Sequence, residues 1–183
     1  MRELDRILLR WRIRKAGKYI PSGARVLDIG SFDGTLFRQL SDRVAGGAGI
    51  DPLAPASEDG ATFRLIRGRF PEDMPDLGLF DVVTALAVVE HLATAGGPRF
   101  AESCARFLIP KGLLIATVPG RSVDTILRVL CLLRLIDGMS LEQHHGFTAR
   151  SAVELFTSRG FALCRSEKFQ LGLNTVLVFR KLP

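Results

Sequence analysis

The stretch Val26–Gly34, VLDIGSFDG, decides the fold. An apolar run that contains Asp28 leads into a loop with glycine at Gly30 and Gly34. A buried strand that ends in a glycine loop is where α/β proteins hold nucleotide-like ligands, because glycine lets the backbone approach the ligand closely. We therefore predict a parallel sheet whose first strand leads to the ligand site.

Short apolar runs alternate with helical patterns along the rest of the chain. The strand patterns are RVLDIG, GAGID, ATFRLIRG, LFDVVTAL and KGLLIATVP, and the helical patterns are GTLFRQLSDRV, PRFAESCARFL and TARSAVELFTSRG, the last with a cap at Thr148. FALCRSEKF and NTVLVFRK indicate a terminal strand pair. Together they predict an α/β, Rossmann-like, doubly wound, mostly parallel sheet of about seven strands, with a C-terminal antiparallel pair and helices on both faces.

The composition is that of an ordinary globular protein. With 183 residues, 47% hydrophobic and 24% charged, the chain is expected to form a single domain, 1–183. Cys104, Cys131 and Cys164 show no CxxC spacing, which indicates buried thiols in a reducing compartment. Arginines interrupt the first apolar cluster, so we expect no secretory signal and a cytoplasmic protein.

The segment 1–22 carries the basic character of the chain. Eight basic and two acidic side chains up to Arg25 account for the whole net charge of +6. We predict a helix whose apolar face holds Leu4, Ile7, Leu8 and Trp11, with a basic row of Arg2, Arg6, Arg10, Arg14 and Lys18. The row is a plain solvated face, or an interfacial helix drawn to an anionic membrane, which would make the protein membrane-associated, or a face drawn to a phosphate on the substrate. Nucleic acid is not expected, because aromatic residues are not interleaved with the basic ones.

The charges around the glycine loop favour one class of cofactor over another. A dinucleotide site usually has GxGxxG, and here the middle glycine is missing while Asp28 and Asp33 frame the loop. Two like charges about 4 Å apart repel by roughly 4 kcal/mol at an effective dielectric constant of ~20, so a pyrophosphate is disfavoured. S-adenosylmethionine is cationic and carries no phosphate. Asp51, at the end of GAGID, stands where a carboxylate can accept from the ribose hydroxyls.

Several segments taken in order carry a family resemblance: VLDIGSFDG, GIDP, LFDVVTALAVVEHL, FLIPKGLLIATVPG and HHGFTARSAVELFTSRGF. From about Ile20 onward the chain resembles the class I S-adenosylmethionine-dependent methyltransferases, especially the small bacterial ones of broad substrate range. The resemblance implies methyl transfer from S-adenosylmethionine to a small-molecule acceptor. The cofactor-binding residues that it implies are Asp28, Gly30, Ser31, Phe32, Gly34, Asp51, Pro52, Leu53, Phe70 and Leu86.

The resemblance also implies roles. Asp28 would reach the cofactor's amino group, Asp51 the ribose, and Leu86 would support the methionine chain; Pro52 and Leu53 would lie against the adenine and Phe70 at its edge. Phe32 departs from the family, which usually has glycine there. Either its ring turns away or packs under the N-terminal helix, or it narrows the pocket and leaves an inactive binding or scaffold subunit.

Candidates for a general base are Glu90 and His91 in VVEHL and His144 and His145 in EQHHGF, with His145 preferred of the last two. Methyl transfer needs a base only when the acceptor is a hydroxyl or similar group of high pKa, and each candidate also has a purely structural interpretation. No metal is expected, because no further ligands follow at useful spacing. The apolar insert 121–146 is predicted to form a lid over an apolar or lipid-like acceptor, or else to be buried against the sheet or a second subunit in a homodimer.

Overall fold

The computed structural model describes residues 3–55, 62–92, 96–120 and 148–183. These residues form a seven-stranded sheet in the order β3-β2-β1-β4-β5-β7-β6. The strands are β1 Ala24–Ile29, β2 Val44–Asp51, β3 Phe63–Arg67, β4 Phe80–Leu86, β5 Leu108–Pro119, β6 Phe161–Phe169 and β7 Asn174–Lys181.

The strand pairing creates the ligand-binding edge. Strands β1 to β5 run parallel, while β7 is antiparallel to both β5 and β6. Strand β1 pairs with β2 on one side and with β4 on the other, so the chain changes its direction of winding at β1. In open α/β sheets ligands bind at the carboxyl ends of the strands at this switch point. The predicted doubly wound sheet with a C-terminal antiparallel pair is confirmed.

Helices cover both faces of the sheet: α1 Glu3–Gly17, α2 Thr35–Gln39, α3 Gly97–Phe107 and α4 Ala149–Thr157. Leu27 of β1 shares a buried core with Phe100 of α3 and Phe156 of α4. Its neighbour Val26 belongs to a second core, formed with helices α1 and α2. Because successive strand residues point to opposite faces, the unbroken apolar run of β1 requires a cover on both sides.

The helix ends follow local sequence signals, with one exception. Thr148 Oγ1 accepts a 3.2 Å hydrogen bond from the backbone nitrogen of Ser151, which confirms the predicted cap of α4. Pro98 lies in the first turn of α3, where its missing N–H costs no helical hydrogen bond. Helix α2 is shorter than the predicted helix over 34–44, since the chain turns after Gln39 to enter β2 at Val44.

Helix α1 does not bury the apolar face that its spacing predicts. Ile7 is 57% exposed and Trp11 is 45% exposed, whereas Ile13 and Ala16 are buried. Its second half is tied to the sheet, because Lys15 Nζ and Tyr19 Oη both donate to the Glu167 carboxylate on β6. Ile7 and Trp11 of the predicted apolar face are therefore exposed, and the contacts of the second half with the sheet fix the rotation of the helix.

The thiols differ in their environments. Cys104 is buried in the core under α3, where burial raises the pKa of its thiol. Cys164 is exposed on the edge strand β6, so the expectation of a buried thiol is wrong for this residue, and Cys131 lies outside the described residues. Among the helices that the structure describes, none has the length and apolar character needed to cross a bilayer.

Candidate cofactor and active site

The loop after β1 depends on its two predicted glycines. Gly30 has φ +77°, and a Cβ there would lie 2.5 Å from Val88 Cγ2 on the segment after β4. Gly34 has φ +78°, and a Cβ there would lie 2.8 Å from the Phe63 ring. The Gly30 nitrogen donates a 2.9 Å hydrogen bond to Ile50 O, which fixes the loop against β2. Any side chain at these positions would be both strained and obstructed.

Between the glycines, Ser31 and Phe32 point in different directions. Ser31 is buried, and its Oγ lies so close to Gly49 that a Cβ there would be 2.5 Å away. Phe32 has φ +46° and is 47% exposed, and its ring lines a groove on the side of Leu9 and the other α1 residues. This position agrees with the interpretation that the ring turns out of the loop toward the N-terminal helix.

Asp33 is engaged in building α2. Its Oδ1 accepts a 3.0 Å hydrogen bond from Thr35 N and a 2.6 Å hydrogen bond from Thr35 Oγ1. Its backbone oxygen accepts from the Arg38 guanidinium, whose Nη2 also lies 3.6 Å from the Asp33 carboxylate. The Asp33 carboxylate, which the sequence places in the loop, therefore accepts hydrogen bonds from the first turn of α2.

Asp28 is the buried acid beneath the loop. Thr84 Oγ1, on the neighbouring strand β4, donates a 2.6 Å hydrogen bond to Asp28 Oδ1. Burial raises the pKa of Asp28 to about 7; the Thr84 hydrogen bond opposes this and the negative charge of Asp51 adds to it. The negative charge of Asp51, which adds to the rise in the pKa of Asp28, makes this edge attractive to a cation.

Asp51 ends β2 beside the loop. Its Oδ1 accepts a 2.7 Å hydrogen bond from Leu53 N, and its backbone oxygen accepts from Gly68 N at 3.1 Å. Pro52 and Leu53 follow directly, and Leu53 is 70% exposed. A half-buried carboxylate next to an exposed apolar pair suits a ligand with a hydroxylated and a flat apolar part.

Leu86 and Phe70, the two remaining predicted cofactor residues, are placed differently. Leu86 is half-buried at the end of β4, one residue beyond the Ile29–Ala85 pair, and therefore next to the glycine loop. The ring of Phe70 packs instead against Phe100 at 5.5 Å and Phe107 at 5.6 Å between ring centroids. The structure thus brings Leu86 to the loop and directs Phe70 into the layer under α3.

The buried Glu90 lies within electrostatic range of the half-buried Arg12, an association that the sequence did not reveal. Glu90 is 3% exposed, and its Oε2 has no hydrogen-bond partner among the described residues. Burial raises its pKa to about 7, while the positive charge of Arg12 opposes this. Arg12 reaches in from α1; burial lowers the pKa of its guanidinium and Glu90 counteracts that. The sequence hinted at this only through position: Arg12 does not share the four-residue spacing of the basic row and therefore lies on another side of the helix.

The other candidate bases are less well placed or not described. His91 is exposed at the end of the short 3₁₀ turn Val89–His91. His145 and the insert 121–146 lie outside the described residues. Among residues 3–55, 62–92, 96–120 and 148–183, no group of three potential metal ligands comes together.

The edge therefore fits a cationic, ribose-bearing ligand. Gly30 and Gly34 let the loop pass close to Val88 and the Phe63 ring, and the Asp51 carboxylate supplies negative charge near the buried Asp28. A pyrophosphate would meet the Asp51 carboxylate and be repelled. The fold and the edge together define the class of doubly wound proteins with an acidic nucleoside site.

The comparisons with known proteins identify the family. Residues 1–166 match a family model described as a methyltransferase domain. A ubiquinone biosynthesis O-methyltransferase of Azorhizobium caulinodans is 36% identical over 111 residues, which cover 56% of this chain and 43% of that protein. The chain thus spans less than half the length of this curated relative.

Solved structures show the same fold. The N-methyltransferase NodS from Bradyrhizobium japonicum WM9 superposes with a TM-score of 0.67 at 12% identity, covering 99% of this chain and 98% of that one. A 1,6-didemethyltoxoflavin-N1-methyltransferase from Burkholderia thailandensis, solved with its substrate and S-adenosylhomocysteine, gives 0.70 at 18% identity, covering 94% and 79%.

This chain belongs to the methyltransferase-domain family, and its sheet is that of the class I S-adenosylmethionine-dependent methyltransferases. The resemblance stated from the sequence is confirmed. At the level of the family, the predicted enzyme class and cofactor are confirmed as well.

Proposed function

We propose that this chain transfers a methyl group from S-adenosylmethionine to a small acceptor of apolar or lipid-like character. The observation that carries the proposal is the buried Asp28 and the nearby Asp51 at the switch point of a methyltransferase sheet. When bound, the cofactor supplies an electrophilic methyl group on a positively charged sulfur. The protein's own contribution is alignment, since orientation provides much of the rate of an in-line displacement.

Each residue at the edge has a proposed task. Asp51 holds the ribose hydroxyls, and Leu53 with Pro52 lies against the adenine. Asp28 supports the amino group of the methionine part, directly or through the loop backbone, and Gly30 lets the chain approach it. The guanidinium of the half-buried Arg12 is available to a carboxylate of the ligand, because its buried Nε has no hydrogen-bond partner within the described part of the chain.

Glu90 is proposed as the base for a hydroxyl acceptor. A carboxylate whose pKa is raised to about 7 can take a proton near neutral pH and release it again. The acceptor oxygen would form its bond to the methyl carbon as the bond from that carbon to sulfur breaks; the proton of the acceptor would pass to Glu90, and S-adenosylhomocysteine would leave. His91 and His145 remain alternative candidates for this role.

The acceptor is proposed from two considerations. The Azorhizobium relative is named for O-methylation in ubiquinone biosynthesis, and ubiquinone is a lipid-soluble quinone. An oxygen on a ring that carries an apolar tail is therefore the acceptor class that we propose.

Three further points remain predictions: that 121–146 forms a lid, that 1–183 forms a single domain, and that the protein is a homodimer. We also propose that α1 contacts an anionic membrane peripherally.

Calorimetry tests the cofactor site. We expect micromolar affinity for S-adenosylmethionine and a loss of about ten- to hundredfold in Asp51→Ala, because a charged hydrogen-bond acceptor is removed. Asp42→Ala is the matched control, since this exposed carboxylate lies before β2. The proposal fails if the protein prefers NAD or binds neither compound; the second result would favour the inactive scaffold alternative.

Turnover tests the acceptor. We expect S-adenosylhomocysteine to form with an alkylated catechol or hydroquinone, and Glu90→Gln to lower kcat by about a hundredfold without changing cofactor affinity. Equal activity of Glu90→Gln and the wild type would remove Glu90 from the mechanism.

A further inference from the structure

The solvent-facing side of α1 combines large apolar side chains with cations. Ile7 and Trp11 are exposed, and so are Arg10 and Arg14; Lys18, just after the end of α1, is exposed as well. At 3.6 residues per turn the four positions on the helix fall within an arc of about 100°. Two exposed large apolar residues set among basic ones are typical of a helix that lies in the interface of a membrane.

A basic groove lies next to this face. It runs between α1 and the start of α2, has a volume of about 720 Å³, and its lining includes Arg6, Arg10, Arg14, Phe32, Asp33 and Arg38. Gln39 Nε2 donates a 2.9 Å hydrogen bond to Arg10 O, which fixes the two walls to each other. Among the described residues of this lining, Asp33 is the one acid, against the four arginines Arg6, Arg10, Arg14 and Arg38.

The groove is separate from the cofactor edge but adjoins it. Its lining includes Phe32 and Asp33 of the glycine loop, and it does not include Gly30, Asp51 or Leu86. A ligand in the groove would therefore contact the outer side of the loop whose inner side faces the cofactor edge.

We propose that this groove binds the phosphate headgroup of an anionic lipid and that Ile7 and Trp11 enter the membrane interface beside it. The pairing of charge with apolar surface argues for a lipid: a headgroup neutralises Arg10 and Arg14, and the adjoining acyl region covers the two apolar side chains. A nucleic acid would satisfy the cations and leave Ile7 and Trp11 in water.

The surface also explains how an apolar acceptor would reach the site. This step rests on the proposed function, because only a lipid-like acceptor needs to leave a bilayer. With α1 against the membrane, Phe32 and the glycine loop lie at the same side of the protein as the lipid. The acceptor would then pass to the cofactor edge with a short path through water.

Trp11 provides a direct measurement, because it is the single tryptophan of the chain. We expect its fluorescence to shift to the blue when phosphatidylcholine vesicles that contain phosphatidylglycerol are added to the full-length protein. Pure phosphatidylcholine vesicles should cause no shift, and high salt should reverse it, because exposed charges are screened. Unchanged emission with the anionic vesicles overturns the proposal.

Co-sedimentation with matched variants locates the contact. The double variant Arg10→Glu with Arg14→Glu should lose at least about tenfold in vesicle partitioning, since each basic side chain near an anionic surface contributes measurably. Arg106→Glu with Arg180→Glu changes the charge equally at exposed sites away from the groove and should bind as the wild type. Equal losses in both pairs, or tighter binding to an oligonucleotide than to the vesicles, would contradict the proposal. S-adenosylmethionine affinity without vesicles tests the proposed function separately.

Discussion

Thr84 Oγ1 donates a 2.6 Å hydrogen bond to Asp28 Oδ1, and the two residues stand side by side on β4 and β1. The bond lies at the carboxyl edge of the sheet and supports a carboxyl group whose pKa burial raises to about 7. It links the strand before the glycine loop to the strand that leads to Glu90.

The raised pKa of Asp28 predicts a pH-dependent stability. The folded protein keeps this proton between the ordinary pKa of 3.8 and about 7, whereas the unfolded chain has lost it. Folding stability supplied by this group therefore falls as the pH rises through that window. The change amounts to at most about 4 kcal/mol, at about 1.4 kcal/mol for each pH unit.

Urea denaturation at several pH values checks this. The free energy of unfolding of Asp28→Asn, relative to the wild type, should rise from pH 4 to pH 7, in the window that the raised pKa defines. In Thr84→Val the pH at which this stability is lost should be higher than in the wild type, because the ionised Asp28 carboxylate loses its hydrogen-bond donor. If the difference in the free energy of unfolding between Asp28→Asn and the wild type does not vary with pH, the pKa of Asp28 is not raised by folding.

The Arg12–Glu90 pair predicts non-additive mutations. Removing either charge leaves the other buried without its counter-charge, so Arg12→Met should destabilise the protein by about 3 kcal/mol. The double variant with Glu90→Gln should recover part of that loss, with a coupling energy of about 1 to 2 kcal/mol.

Thermal or urea unfolding of the four proteins at pH 8 measures this cycle. Arg14→Met is the control, because Arg14 is exposed on the same helix and should cost less than about 0.5 kcal/mol. Simple additivity of the two single changes would mean that the groups do not interact.

Phe32→Gly tests why the loop tolerates an aromatic residue. Phe32 occupies the left-handed region with φ +46°, and its ring lies on the α1 side. Glycine relieves the backbone strain there, while the space at the cofactor edge stays as it was. We expect S-adenosylmethionine affinity to stay within a few-fold by calorimetry. Binding that tightens by about tenfold, or 1.4 kcal/mol, would show that the ring obstructs the pocket.

Thr148→Ala tests the cap of α4. The variant loses the hydrogen bond from Ser151 N to Thr148 Oγ1, and comparable caps contribute about 1 kcal/mol. Urea unfolding should show that loss, and Thr148→Ser should restore most of it. Full stability of Thr148→Ala would mean that packing alone holds the start of α4.

The parts of the fold that the sequence predicted are those that local pattern controls. All seven strands were recognised because each is a short, mostly apolar run, and Thr148 and Pro98 marked helix starts through local hydrogen bonding. The glycines of the loop were recognisable because only glycine suits φ values near +77° next to Val88. The short length of α2 could not be recognised from the sequence, since the end of this helix depends on where β2 begins.

Contacts between residues far apart in the chain could not be predicted from the sequence. Ile7 and Trp11 have helical spacing, yet they face solvent because Lys15 and Tyr19 are held by Glu167, 152 and 148 residues away. The proximity of Arg12 to Glu90 could not be predicted either, because the two residues lie on segments far apart in the chain. A contact between residues so distant in the chain leaves no local pattern to read.

The amino-acid sequence by itself determined the alternation of strands and helices, the glycine loop with its acids, and hence the methyltransferase class. The tertiary structure alone decided which face of α1 meets solvent, that Phe70 packs under α3, and that Arg12 and Glu90 share a buried site. The physical reason is range: backbone preference and apolar periodicity act over a few residues, whereas rotation of a helix and pairing of buried charges are set by contacts between distant segments.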